Sequence, residues 1–199
     1  MNAYEMPYDP KSCKDVYALI NNRQTVALMF HDEMADLFDF LGLRGFKRMH
    51  EYQYLSESVE HRKTKRYYLN HHGMLLPDEE IHSIDVIPDD WYRYDRMDVT
   101  PPVLRQSVQR AMEQYKEWET GTKSLYETCA HHLLTWGNTA DFNEVSCLVD
   151  DVDHELKCLE RLCLELKAVD YSIDYIEMVQ DSYHDKYKEK TCHIGEGLC

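Results

Sequence analysis

The stretch TPPVLRQSVQRAMEQYKEWETGTKSLYETCAHHLLTWG, residues 100–137, decides the fold class. Thr100-Pro101-Pro102 reads as an N-cap followed by proline in the first turn of a helix, where a missing N–H costs nothing. Leu104, Val108, Ala111, Tyr115, Trp118, Thr122, Leu125, Cys129 and Trp136 then recur at steps of three, four or seven, which stacks them on one helical face. Gly137-Asn138 stops the pattern. So long a single stripe must be buried against other helices.

Those helices lie on either side. Downstream, Phe142, Val145, Val149, Val152, Leu156, Leu159, Cys163 and Leu166 form an equally regular stripe. It fades at Val169-Asp170 and resumes with Ile173, Ile176 and Tyr183, as a bent extension or a short fifth helix. Upstream, Val16, Ile20, Ala27, Phe30, Met34, Leu37 and Leu41 mark a first helix over roughly 13–42, closed by Gly42-Leu43-Arg44-Gly45. A second runs from about Phe46 to Asn70 and ends at His72-Gly73, a glycine C-cap. Residues 74–100, with Pro77, Pro88 and the aromatic run Trp91-Tyr92-Arg93-Tyr94, show neither helical nor strand period. A connection that long is explained if helices two and three run parallel, so that the chain must cross the whole bundle.

Composition agrees. With 199 residues the expectation is one domain, and 7 Gly and 6 Pro are too few for a turn-rich β fold. A formal charge of −15 repels nucleic acid and anionic membranes and draws in cations. The start, MNAYEMPYDP, is neither a signal nor a transit peptide, and no apolar run of about 18 residues is present to span a membrane. Seven cysteines, an odd number without a CxxC pair, point to a reduced, cytoplasmic protein. Residues 191–199, carrying Cys192, His193 and Cys199, read as a flexible tail behind a single domain over 1–190.

Acids and histidines fall on or beside the apolar stripes, where a buried carboxylate must be paired or bind a metal. On helix one, Glu33 sits among Met29, Phe30 and Leu37, with His31 on the flank. On helix two, the line Phe46, His50, Gln53, Glu57, His61, Thr64, Tyr68 carries no basic residue, and Glu57 and His61 are one turn apart. Glu119 is the single acid in the helix-three line Val108, Met112, Tyr115, Glu119, Thr122, Tyr126, Cys129, Leu133. On helix four, Asp151 and His154 stand at i, i+3, and Glu155 can add a bridging oxygen. The plainer alternative for Asp150–Glu155 is a solvated acidic face. As metal ligands, Glu33, Glu57, His61, Glu119, Asp151 and His154 make the inventory of a di-iron or di-manganese carboxylate site in a bundle core.

Here the chain resembles the ferritins. His61-Arg-Lys-Thr-Lys-Arg-Tyr-Tyr-Leu-Asn-His-His-Gly73 resembles the ferritin second helix, Glu119-Thr-Gly-Thr-Lys-Ser-Leu-Tyr the third, and Asp151-Val-Asp-His154-Glu-Leu the fourth-helix motif of bacterioferritins and rubrerythrins, with Asp in place of Glu. The resemblance covers roughly residues 14–167. It implies an all-α, ferritin-like four-helix bundle with a long crossover between helices two and three and a C-terminal helical extension. Two departures stand out. Ser58 falls where the family keeps the acid that bridges both metals, and pairing the first two helices sets His61 opposite Thr25 to Met29, where no acid exists. The site can therefore be rearranged, mononuclear or lost.

Two functions follow as expectations. The resemblance implies a ferroxidase-type oxidoreductase that binds Fe(II), with manganese as the other candidate, and oxidises it with O2 or peroxide. Such a protein would assemble as a homo-oligomer and store iron, and Tyr54, Tyr115 or Tyr126 would hydrogen-bond a bound oxygen species. The alternative is a metal-free bundle serving as a structural or protein-interaction module, with Trp91–Tyr94 as its contact surface. A third reading, a di-metal enzyme with an organic substrate, requires an access channel.

Overall fold

A computed structural model describes residues 9–76 and 99–194, with side chains through residue 188. The aromatic run Trp91–Tyr94, the side chains of Cys192 and His193, and Cys199 lie outside the described residues. The elements are α1 (Cys13–Phe40), α2 (Arg44–His72), α3 (Pro101–Thr135), α4 (Thr139–Ala168) and α5 (Ile173–Ile194).

Local chemistry sets the ends. Ser12 caps α1, its hydroxyl accepting from the Asp15 amide. Gly42 turns the chain with a left-handed φ of 78°, and the Leu43 amide returns to the Phe38 carbonyl at 2.9 Å. Gly45 has a different task. It lies inside α2, where a Cβ would sit 1.6 Å from the Gln180 carbonyl oxygen, so only glycine lets α5 come this close. Gly73 closes α2 in the left-handed conformation, as the glycine-cap reading expects. Between α4 and α5, Asp170 and Tyr171 both take positive φ without being glycine (52° and 50°), and the Tyr171 amide bonds the Leu166 carbonyl at 2.8 Å. The fifth helix is thus a separate element.

Short turns make α1/α2 and α3/α4 antiparallel hairpins. One apolar cluster joins the α1/α2 turn (Phe38, Leu41, Phe46) to the start of α3 (Val108, Ala111) and the end of α4 (Leu159, Leu162, Leu166). A second joins the start of α1 (Val16, Ile20) to the ends of α2 and α3 (Tyr68, Leu133) and the start of α4 (Val145). Helices α2 and α3 therefore run in the same direction, and residues 77–98 connect opposite ends of the bundle. At the second end Asp141 ties three helices together. It accepts from Tyr17 of α1 at 3.2 Å and lies 3.0 Å from His72 Nε2 of α2.

Helix α5 runs beside α2 in the same sense. Gln180 meets Gly45, Tyr183 packs on Phe46 with ring centroids 5.7 Å apart, and Tyr187 packs on Tyr52 at 5.2 Å. Ile176 and Val179 join the first apolar cluster. None of the five described cysteines is in a disulfide. Among the described residues, no helix is long and apolar enough to cross a membrane.

Candidate metal centre

Between the two apolar clusters the middle of the bundle is polar. Asn21, Arg23, Gln24 and His31 of α1, His50, Gln53 and Thr64 of α2, and Glu119 and Thr122 of α3 are all buried there. Helical spacing explains the layer: Gln53, Glu57, Glu60, Thr64 on α2 and Tyr115, Glu119, Thr122, Tyr126 on α3 step by four, three and four along one face. On α4, Glu155 follows Asp151 by one turn.

Four carboxylates act on one another across this layer: Glu57 and Glu60 of α2, Glu119 of α3 and Glu155 of α4. Burial, then Glu60, Glu119 and Glu155, holds the Glu57 carboxyl well above the usual carboxylate range, with Arg23 opposing. Glu119 is only 3% exposed; burial, then Glu155, raises it in the same way, Arg23 again opposing and Glu60 adding to the rise. Glu60 is pushed up to about 7 by burial, Glu155 and Asp151, against Lys63. Burial raises Glu155 as well, eased by a hydrogen bond from Gln53. Gln53 also donates to the Tyr115 hydroxyl at 3.1 Å, fixing the α2–α3–α4 contact. Tyr115 and Tyr126 are held as neutral phenols, chiefly by burial.

Helix α1 meets the cluster with a cation. Arg23 donates from Nε to Thr122 Oγ1 at 2.8 Å and from Nη2 to the Trp118 carbonyl at 2.7 Å, and its guanidinium lies 3.3 Å above the Trp118 ring. Phe30 stacks on that ring at 4.9 Å. More than two turns beyond Arg23 on α1, His31 meets His50 with their Nδ1 atoms 3.0 Å apart, sharing one hydrogen, and His31 Nε2 lies 4.0 Å from Glu119 Oε1. Burial pushes His31 down to about 3 and His50 well below its usual value, so both stay neutral. A cleft of about 270 Å³ lined by Asp32, Ala35, Glu51, Tyr54 and Leu55 leads from the surface to His31.

The sequence-predicted ligands divide. Glu57 and Glu119 are in the cluster. Asp151 is exposed, yet its charge acts on Glu60 and Glu155. His61 is half-buried with Nε2 3.4 Å from Thr25 Oγ1, the pairing with α1 that the helix register requires. His154 is exposed, its ring 4.0 Å from Cys158 Sγ. Glu33 is half-buried on α1. Sequence reasoning missed Glu60, Arg23 and Gln24. The signals were present: Glu60 stands at i+3 from Glu57, and Arg23 continues the apolar line Ala27, Phe30, Met34 by one turn.

The donor set suits a hard cation. Ionised carboxylates at this burial need a counter-charge, and oxygen donors suit iron or manganese. Gln24 is fully buried with neither amide atom bonded to the protein, so it too has donors to offer. Among the described residues, no three His, Cys, Asp or Glu side chains already stand in a geometry that holds an ion. Glu57, Glu60, Glu119 and Glu155 act on one another electrostatically.

No protein-family model matches the chain, and no curated protein does. Solved structures do. An open-pore ferritin from the hyperthermophilic archaeon Archaeoglobus fulgidus is 14% identical, with a TM-score of 0.73 over 89% of this chain and 98% of its own. A humanized archaeal ferritin is 14% identical, with a TM-score of 0.72 over 89% and 98%. A closed form of the Archaeoglobus fulgidus ferritin, engineered by site-directed mutagenesis, is also 14% identical and has a TM-score of 0.69 over 89% and 97%. This chain therefore has the fold of a ferritin-like helical bundle.

Proposed function

We propose that this chain binds ferrous iron at the central carboxylate layer and oxidises it, with O2 or peroxide as the electron acceptor. The observation that supports the reading is that buried Glu119 and half-buried Glu57, Glu60 and Glu155, from three helices, act on one another in surroundings that favour their protonated forms. An entering cation displaces those protons, and the freed anionic oxygens bind Fe(III) more tightly than Fe(II), which favours loss of the electron. Tyr115 and Tyr126, kept neutral, are hydrogen-bond donors to an oxygen species. The cleft reaches His31, whose Nε2 lies 4.0 Å from Glu119 Oε1. The likeness to ferritins supports extending the reading to a homo-oligomer that stores iron, and the free cysteines fit a cytoplasmic setting. Manganese is the other ion the same oxygens accept.

One observation favours the competing reading of a metal-free scaffold: Arg23 already supplies positive charge to the layer. Stopped-flow absorbance separates the two. Fe(II) mixed anaerobically with the protein and then exposed to air should form Fe(III) faster than a protein-free control, and Glu119→Gln should abolish the gain. A wild-type rate equal to the control would leave the scaffold reading.

A further inference from the structure

Acidic overall, with a formal charge of −15, the chain gathers cations at one opening. A pocket of about 220 Å³ lies where the α1/α2 turn meets α5, lined by Asp39 of α1, by Arg44, Lys47, Arg48 and Glu51 of α2, and by His184 of α5. Helical register builds it. Arg44 and Arg48 stand one turn apart on α2, which brings both guanidinium groups to the same opening. On α5, His184 follows Gln180 by one turn, and Gln180 accepts from the Gly45 amide at 2.9 Å, which sets His184 against that side of α2. Lys47 serves both acids, its Nζ 3.4 Å from Asp39 Oδ1 and 3.7 Å from Glu51 Oε1. Arg44 and Arg48 pair with no carboxylate among the described residues, and the first turn of α2 holds no acid. Asp181 and Asp185 flank His184 on α5, and both are exposed.

A guanidinium only donates, through five N–H bonds in a fixed fork, so the partner for two of them is an oxyanion that accepts several hydrogen bonds at once. The two acids narrow the choice. They repel an anion that can only accept, such as sulfate or a carboxylate, whereas an anion that keeps an O–H can donate it to Asp39 or Glu51. Inorganic phosphate carries that proton at neutral pH; the dianion of a phosphate monoester does not. The pocket is also small beside the roughly 300–1,000 Å³ of sites for organic ligands. We propose that it binds inorganic hydrogen phosphate, gripped by Arg44 and Arg48, hydrogen-bonded by His184 and selected by Asp39 and Glu51. Phosphate binding here does not depend on metal in the central layer.

Isothermal titration calorimetry tests this on the full chain, treated with chelator, in phosphate-free buffer at neutral pH and low ionic strength. Inorganic phosphate and sulfate are titrated separately. The expected result is about one saturable phosphate per chain, bound at least about tenfold more tightly than sulfate. Arg44→Gln/Arg48→Gln should weaken phosphate binding at least about tenfold. Arg62→Gln/Arg66→Gln removes the same charge at the same spacing from an exposed part of α2 and should change it less than about twofold. His184→Ala, made on α5, should weaken it about threefold and decides the matter if the α2 variant does not fold. No saturable phosphate, sulfate bound as tightly as phosphate, equal losses in the two arginine pairs, or wild-type affinity in His184→Ala would each overturn the inference.

Discussion

Glu60→Gln should stabilise the metal-free protein at neutral pH, and the gain should vanish in acid. In the folded chain burial and the neighbouring acids push the Glu60 carboxyl from 4.5 up to about 7. An unfolded chain ionises the same group near 4.5. The folded state therefore holds the proton more tightly, so this group's contribution is fully favourable below pH 4.5 and is lost as pH rises through 7. At about 1.4 kcal/mol per unit, the cost at pH 8 is about 3 kcal/mol, and at pH 4.5 it is under about 0.5 kcal/mol. Glutamine keeps the shape and never ionises. In a chain of this size 3 kcal/mol corresponds to roughly 9 °C in Tm. The assay is thermal unfolding of chelator-treated wild type and variant at both pH values. A Tm gain of equal size at both, or a loss at pH 8, would refute the argument that Glu60 ionises at a cost inside the layer.

Three further outcomes follow from the packing and the site. Glu57→Gln and Glu119→Gln should each weaken metal binding at least about tenfold, by equilibrium dialysis, while His154→Ala, whose ring is exposed, should leave it unchanged. Gly45→Ala drives a Cβ into the Gln180 carbonyl and should cost about 3 kcal/mol; chemical denaturation measures the loss, and faster proteolysis within α5 would locate it. Phe30→Ala empties the fully buried site against Trp118 and should cost about 4 kcal/mol by the same denaturation assay, with helical circular dichroism retained at low temperature.

Most of the fold was legible because it rests on periodicity. The α3 and α4 stripes, the Gly73 cap and the long segment after it together imply two hairpins joined end to end, as observed. The start of α5 was harder to read, because Asp170 and Tyr171 adopt left-handed conformations that sequence normally assigns to glycine. At the site, Glu119 could be read because it is a lone acid in an uncharged stripe. Glu57 could be read, but its partner could not: positions i+3 and i+4 both lie one turn away, and the chain carries Glu60 at one and His61 at the other. Burial gives the layer Glu60, while His61 turns toward Thr25. The same ambiguity separates Glu155, which joins the cluster, from its neighbour His154, which faces solvent. Arg23 went unread because a charged residue on an apolar stripe is ordinarily placed at its edge. Its burial depends on Trp118 and Thr122 of α3, contacts far away in sequence.

The most direct test of the central claim is anomalous diffraction from crystals grown with Mn(II) or anaerobic Fe(II). A peak in the middle of the bundle, coordinated by oxygens of Glu57, Glu60, Glu119 and Glu155, is the predicted result. Ordered metal on the acidic surface with no peak among those four glutamates would contradict it.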